Sequence, residues 1–183
     1  MTLSPASSTR LVRSPTYATG ALVLLVAVAT LLTALAFEHI GGHVPCELCL
    51  RQRWAYYVGI PALFVGLVLL AAGQARLAGL IMLAVALGFL VNAGLGVHQV
   101  GVELGYWAGP TTCSGNALQP LGTPGSGDLL KELQSIRIAR CDAPSWHFLG
   151  LSFAGWNVVV SLILFAGGLK AALEAVREAS ARA

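Results

Sequence analysis

Four stretches of the chain are apolar for long enough to cross a bilayer. They cover residues 17–37, 54–72, 77–97 and 148–169. A helix of about 20 apolar residues spans the roughly 30 Å hydrocarbon core. Between them lie two polar connections, 38–53 and 98–147, and one very tight turn, Gly73-Gln74-Ala75-Arg76. So short a turn makes the second and third spans antiparallel neighbours. The pattern predicts an all-α membrane protein, a four-transmembrane-helix bundle forming a single domain over 17–169. Residues 1–16 are expected to be a cytoplasmic tail, and 170–183 a second tail with a frayed helix. Arg10 and Arg13 precede the first run, and Ala34-Leu35-Ala36 resembles a cleavage box. The run is longer than a usual signal-peptide core, which favours a retained helix.

Local detail sharpens the picture. Trp54, Tyr56 and Tyr57 suit an aromatic belt at the membrane surface, and Pro61 is expected to bend the second helix. Ala84, Gly88 and Asn92 recur every four residues in the third span and read as a stripe for close helix packing. Asn92, polar at depth, is expected to bond a neighbouring helix. In the long connection, Leu129, Leu130, Leu133 and Ile136 share one helical face, while Lys131, Glu132 and Arg137 lie off it. This predicts a short interfacial helix over 128–139, with a plain surface helix as the rival.

Composition agrees with a bilayer as solvent. The chain of 183 residues is 56% hydrophobic and 10% charged, against roughly 25% charged in soluble domains. The net charge of +3 is scattered and forms no nucleic-acid stripe. Four spans put both termini on one side. The basic residues barely distinguish the two sides. The cysteines guide better: Cys46, Cys49, Cys113 and Cys141 all fall in the two connections on one face. Such segregation suits an oxidising compartment.

Cys46 and Cys49 form a CxxC pair just ahead of the second span. Residues i and i+3 meet across one helical turn, so two thiols there can close a disulfide with little backbone movement. If Cys49 opens the helix, the unpaired N–H groups of that end favour a thiolate. Arg53, four residues on, adds a permanent positive charge on the same face. Half of a metal site, with His43 and the later cysteines, is an alternative use of the pair, as is an inert structural role. Leu50 in place of His argues against covalent haem attachment. Cys113 and Cys141 would close a loop of about 29 residues, stabilising by roughly 3.6 kcal/mol if the bridge were only a staple. In a Gly/Pro-rich loop they would also be open to another protein's thiolate. Spacing alone does not select among the three possible pairings.

Several motifs now combine. Cys46-Glu47-Leu48-Cys49 is followed by Gln52-Arg53, and His98 by Gly101-Val102-Glu103. Trp107-Ala108-Gly109-Pro110 leads to Cys113. Cys141-Asp142 is followed by Trp146 and Phe148-Leu149-Gly150-Leu151-Ser152. Over about 17–169 the chain resembles the disulfide bond formation protein B (DsbB) family of bacterial inner-membrane quinone reductases. The resemblance implies periplasmic cysteine loops, cytoplasmic termini and a thiol:quinone oxidoreductase. A reduced DsbA-like periplasmic oxidase would attack a Cys113–Cys141 disulfide, with Cys113 carrying the mixed disulfide. Electrons would pass by exchange to Cys46–Cys49 and on to a membrane quinone, ubiquinone or menaquinone. In the family pattern Cys49 lies at the quinone, Cys46 exchanges with the loop pair, and Arg53 binds and polarises the quinone. His98, near the outer edge of the third span, is either a quinone contact or a structural interfacial histidine. His43 and His147 read as solvated interface residues, Glu47 as a soluble spacer, and Glu103 has no assigned role. The vitamin K epoxide reductase type shares bundle, CxxC and quinone, but its CxxC follows the loop cysteines, whereas here it comes first.

Overall fold

A computed structural model describes residues 15–41, 45–107 and 147–181. Four helices dominate it: α1 (Pro15–His39), α2 (Glu47–Ala71), α3 (Ala75–Glu103) and α4 (Phe153–Ala181). Each is long and apolar enough to cross a membrane. Their apolar residues lie all round the helix, as expected when the outward face meets lipid rather than water. Leu22 and Leu25 on α1, Phe64 on α2, Leu80 and Val91 on α3 and Ile163 on α4 are all largely exposed. Going round the bundle, α1 packs on α2, α2 on α3, α3 on α4, and α4 closes back on α1. The interfacial helix expected over 128–139 lies outside the described residues.

The helices outrun the apolar stretches. The first continues through Glu38 and His39, and the second starts at Glu47, well before Trp54. The third runs on to Glu103 and so takes in His98 and Gln99. Polar residues in these added turns still satisfy their backbone groups within the helix, which apolar patterning alone does not report. Pro61 sits inside α2 without ending it. Helix α2 stops at Gly73, whose φ of 82° closes the end: Gly73 N–H donates to Leu70 O (3.1 Å) and Gln74 N–H to Leu69 O (2.9 Å). A left-handed residue there ties off the last carbonyls, and glycine takes that conformation without steric cost.

The fourth span does not begin at Phe148. A small antiparallel hairpin, β1 (His147–Phe148) and β2 (Leu151–Ser152), comes first. Its turn has positive φ at both Leu149 (54°) and Gly150 (81°), as a tight two-residue hairpin requires. Ser152 then caps α4, its Oγ accepting from Gly155 N–H at 3.2 Å.

The close-packing stripe on α3 also differs from the expected one. Ala84 and Gly88 face outward, and the space around Gly88 is open. The residues that let α3 and α4 approach are Gly79, Ala86 and Gly96. A Cβ on Gly79 would lie 3.3 Å from Ala172 O, one on Gly96 2.7 Å from Val158 Cγ2, and one on Gly168 3.2 Å from Ala86 Cβ. Asn92 does belong to this seam: its Nδ2 donates to Ser161 Oγ of α4 at 3.0 Å. The core between the seams is filled by Leu63, Met82, Phe89 and Leu164, all fully buried.

Candidate functional site: a dithiol at the mouth of an apolar cavity

The site is built where α2 begins. Cys46, not Cys49, is the residue that caps this helix. Its extended backbone leads into Glu47, and its Sγ accepts from Cys49 N–H at 3.3 Å. The helix end therefore supports the first sulfur, and Cys49 sits one turn in, with both thiols free and the sulfurs 2.8 Å apart. Leu48 and Val102 bury the pair from the side. The S–H···S hydrogen bond to Cys49, aided by burial, pushes the Cys46 thiol well above the ordinary thiol range. Cys46 thus keeps its proton and donates it toward Cys49 Sγ. A second donor reaches the same sulfur: Gln99 Nε2 lies 3.4 Å from Cys49 Sγ and 3.8 Å from Cys46 Sγ.

Beyond the sulfurs lies a cavity of about 550 Å³ between α1, α2, α4 and the end of α3. Leu25, Val26, Ala29, Phe37, Phe153 and Val160 make most of it apolar. Its polar groups are Arg53, Glu38, Gln52, Gln99, Asn157 and Glu103, with Tyr56 beside them and Thr30 and Thr33 on α1. Arg53 does not reach into this space unpartnered. Its Nη1 donates to Glu38 Oε2, and its Nη2 lies 3.5 Å from Ala34 O, so α1 holds the guanidinium from below. Both charged groups are largely shielded, with side-chain exposures of 13% and 26%. A run of side-chain bonds crosses the site behind them. Tyr56 Oη and Asn157 Oδ1 are 2.9 Å apart, Asn157 Nδ2 donates to Gln52 Oε1 at 2.6 Å, and Gln52 Nε2 to Gln99 Oε1 at 2.7 Å.

A paired dithiol facing an apolar space, with a cation and amides near the sulfurs, is equipped for thiol–disulfide exchange next to a lipid-soluble acceptor. Comparison with known proteins bears on this directly. The family described as Disulfide bond formation protein DsbB matches residues 17–170. The chain belongs to the DsbB family. It is 30% identical over 157 residues to Disulfide bond formation protein B of Marinobacter nauticus, covering 81% of this chain and 86% of that one. It is 32% identical over 143 residues to the protein of that name from Azoarcus sp., covering 72% of this chain and 76% of the other. No solved structure matches it significantly. A DsbB-family protein is a multi-pass membrane oxidoreductase of disulfide bond formation, and the four apolar helices fit that description.

The DsbB-type motif residues are placed as follows. Cys46, Cys49 and Arg53 come together at the cavity. His98 does not line it: the ring is exposed and stacks on Trp107 at 5.7 Å, while Trp107 Nε1 donates to the His98 carbonyl at 2.8 Å. The next residue, Gln99, is the one that turns inward. Cys113 and Cys141 lie outside the described residues, as does His43 of the metal alternative. Glu103 gains a position, on the cavity wall. Glu38, Gln52, Tyr56, Gln99 and Asn157 were not singled out by sequence as site residues. A usable signal existed for two of them: Gln99 and Asn157 are amides in otherwise apolar helices, and polar groups at such positions are retained for a reason.

Proposed function

We propose that this DsbB-family protein reoxidises a DsbA-like periplasmic thiol oxidase and delivers the electrons to a membrane quinone. The observation that carries the reading is that Cys49 and Arg53 open on one and the same apolar cavity, whose polar lining includes Gln52, Gln99 and Asn157. A flat apolar ring with carbonyl oxygens at its edge fits such a lining: the ring meets aliphatic and aromatic side chains, and an oxygen finds Arg53 or an amide N–H. When bound there, a quinone supplies the oxidant, accepting two electrons and two protons.

The chain's own residues would act in sequence. The partner's thiolate attacks a Cys113–Cys141 disulfide at Cys113, and the partner's second thiol resolves the mixed disulfide, leaving two loop thiols. One of these attacks Cys46 in the Cys46–Cys49 disulfide, releasing Cys49 as thiolate, and the other closes the loop disulfide again. Cys46 then holds its proton while hydrogen-bonded to Cys49. Each exchange moves two electrons and breaks one S–S bond for each one made. Arg53 favours negative charge on Cys49 and on an acceptor oxygen. His98, exposed beside Trp107, has a place at the outer rim rather than in the ring site. The loops carrying the cysteines would then face the periplasm of a bacterial inner membrane, with both termini in the cytoplasm.

Steady turnover tests the proposal. Purified protein in detergent, given a reduced DsbA-like dithiol and ubiquinone or menaquinone, should consume quinone and partner thiol one to two. Absence of turnover with either quinone, together with stoichiometric zinc and four reduced thiols, would instead establish the metal-binding alternative.

A further inference from the structure

Four side chains from three helices stand in one continuous line that ends on the redox sulfurs. Tyr56 and Gln52 come from α2, Asn157 from α4 and Gln99 from α3. Each amide in the line has its orientation set by the one before. An amide presents an acceptor at one end and donors at the other. Asn157 accepts at Oδ1 from the Tyr56 hydroxyl (2.9 Å) and donates from Nδ2 to Gln52 Oε1 (2.6 Å). Gln52 donates from Nε2 to Gln99 Oε1 (2.7 Å), which leaves Gln99 with its N–H groups toward Cys49 Sγ (3.4 Å) and Cys46 Sγ (3.8 Å). Gln52 and Gln99 are 5% and 4% exposed, so water cannot easily replace a lost partner. Such buried polar groups are retained only where they are mutually satisfied.

The direction matters more than the packing. Each side chain in the line donates on toward the thiols, and the only return contact is the longer one from Cys49 Sγ to Gln99 Oε1 at 3.9 Å, which a thiol can make and a thiolate cannot. A Gln99 turned end for end would set its carbonyl oxygen against the Cys49 thiolate and its N–H against Gln52 Nε2, two unfavourable contacts in the reduced, charged state. We propose that Gln99, aimed by Gln52 and Asn157, is a catalytic hydrogen-bond donor to Cys49 that stabilises the reduced, thiolate-bearing state of the Cys46–Cys49 pair. This rests on the reading of that pair as the redox centre. Polarisation along aligned hydrogen bonds strengthens the last one, and Gln99 adds a donor from a third helix to the one Cys46 supplies from its own.

The consequence is read in the equilibrium of the pair with glutathione. In a Cys113→Ala/Cys141→Ala background only one disulfide titrates. Its reduction by two glutathione thiols gives the Cys46 thiol, the Cys49 thiolate, one glutathione disulfide and one proton. Gln99→Met keeps the length and removes the donor. It should shift this equilibrium toward the disulfide roughly tenfold, the usual loss of one hydrogen bond to a charged group. Gln99→Glu, placing acceptor oxygens at the sulfurs, should shift it further. Gln52→Met frees the Gln99 amide to turn and should give a smaller shift in the same direction. Gly79→Ala, in the α3–α4 seam against Ala172 and Val176 and outside the line, reports general loosening and should leave the equilibrium at the parent value. The proposal is overturned if Gln99→Met keeps the parent equilibrium constant, or if Gly79→Ala shifts it as much as Gln99→Met does. No quinone enters the assay, so a negative result here is separate from a failure of quinone turnover.

Discussion

Arg53→Ala is the obvious test of a quinone-polarising arginine, and the structure says that it would mislead if made alone. The guanidinium is bonded to the Glu38 carboxylate and held near Ala34 O, with both side chains largely shielded. Removing Arg53 therefore strands Glu38 beside an apolar cavity. A charge-assisted hydrogen bond contributes about 1.5–3 kcal/mol, and leaving its partner unpaired adds a desolvation cost. A loss of about 2 kcal/mol in stability is expected before any ligand is considered, a thirtyfold change in a folding equilibrium. Arg53→Ala/Glu38→Gln removes both charges and should recover most of that loss, because a neutral amide tolerates the site far better than a bare carboxylate. Quinone affinity should behave differently. If Arg53 faces an acceptor oxygen, the double variant stays as weak a binder as Arg53→Ala. Detergent unfolding of purified protein gives the stability arm, and quenching of tryptophan fluorescence on quinone titration, with Trp156 on the cavity wall, gives the affinity arm. Wild-type quinone affinity in the double variant would show that Arg53 serves only to anchor α1 through Glu38. Equal stability of Arg53→Ala and the double variant would refute the argument about the stranded carboxylate.

Other expectations follow from the same geometry. Cys49→Ser should abolish quinone reduction while leaving the bundle folded, checked by turnover and by helical circular dichroism; residual turnover above background would remove Cys49 from its assigned place. Cys113→Ser should block oxidation of the protein partner and leave the membrane fold intact, measured by thiol trapping of the partner and by helical circular dichroism. Gly96→Leu puts a Cβ 2.7 Å from Val158 Cγ2 and 3.5 Å from Ala154 O; overpacking of this kind costs about 1–3 kcal/mol, and an unaltered unfolding midpoint would mean that the seam yields. Gly101→Ala would place its Cβ 2.0 Å from Trp107 Cζ2 and must displace the indole from α3, seen as a change in tryptophan emission without loss of the helix bundle.

The spans were legible because a bilayer enforces one rule: long apolar runs become helices, since no other partner for the backbone exists. The helix ends were not legible, because Glu38, Glu47 and Glu103 are polar and hydropathy stops where they start. The helical backbone does not stop there. The CxxC pair was legible from spacing alone, and its cap was nearly so. Pro45 ahead of Cys46 marks a helix start, and Cys46 rather than Cys49 takes the capping place because its extended backbone puts Sγ over the N–H three residues on. The α3 stripe was misread for a geometric reason. Ala84-Gly88-Asn92 follows a strict four-residue spacing, which drifts around a helix of 3.6 residues per turn, so Asn92 meets α4 while Gly88 faces away. Gln99 was hidden by its neighbour: His98 drew attention as the titratable residue, yet the 100° between them turns the amide inward and the imidazole out.

The two ends of the bundle make opposite use of polar side chains, and the contrast locates the chemistry. At the end where α1 begins, Thr16 Oγ1 donates to Glu178 Oε1 at 2.6 Å, and Thr19 Oγ1 lies 3.5 Å from Glu174 Oε2. These groups tie α1 to α4, and Thr16 is fully buried. None of them lines the cavity. At the other end Arg53, Gln52, Gln99 and Asn157 are also bonded across helices, but they turn their remaining valences toward an open apolar space and two thiols. A bundle needs polar clasps only to fix how its helices meet, and a closed clasp does that without a cavity. Amides brought from three helices to the edge of a void the size of a small ligand serve a second purpose, and the sulfurs at that edge are what they serve.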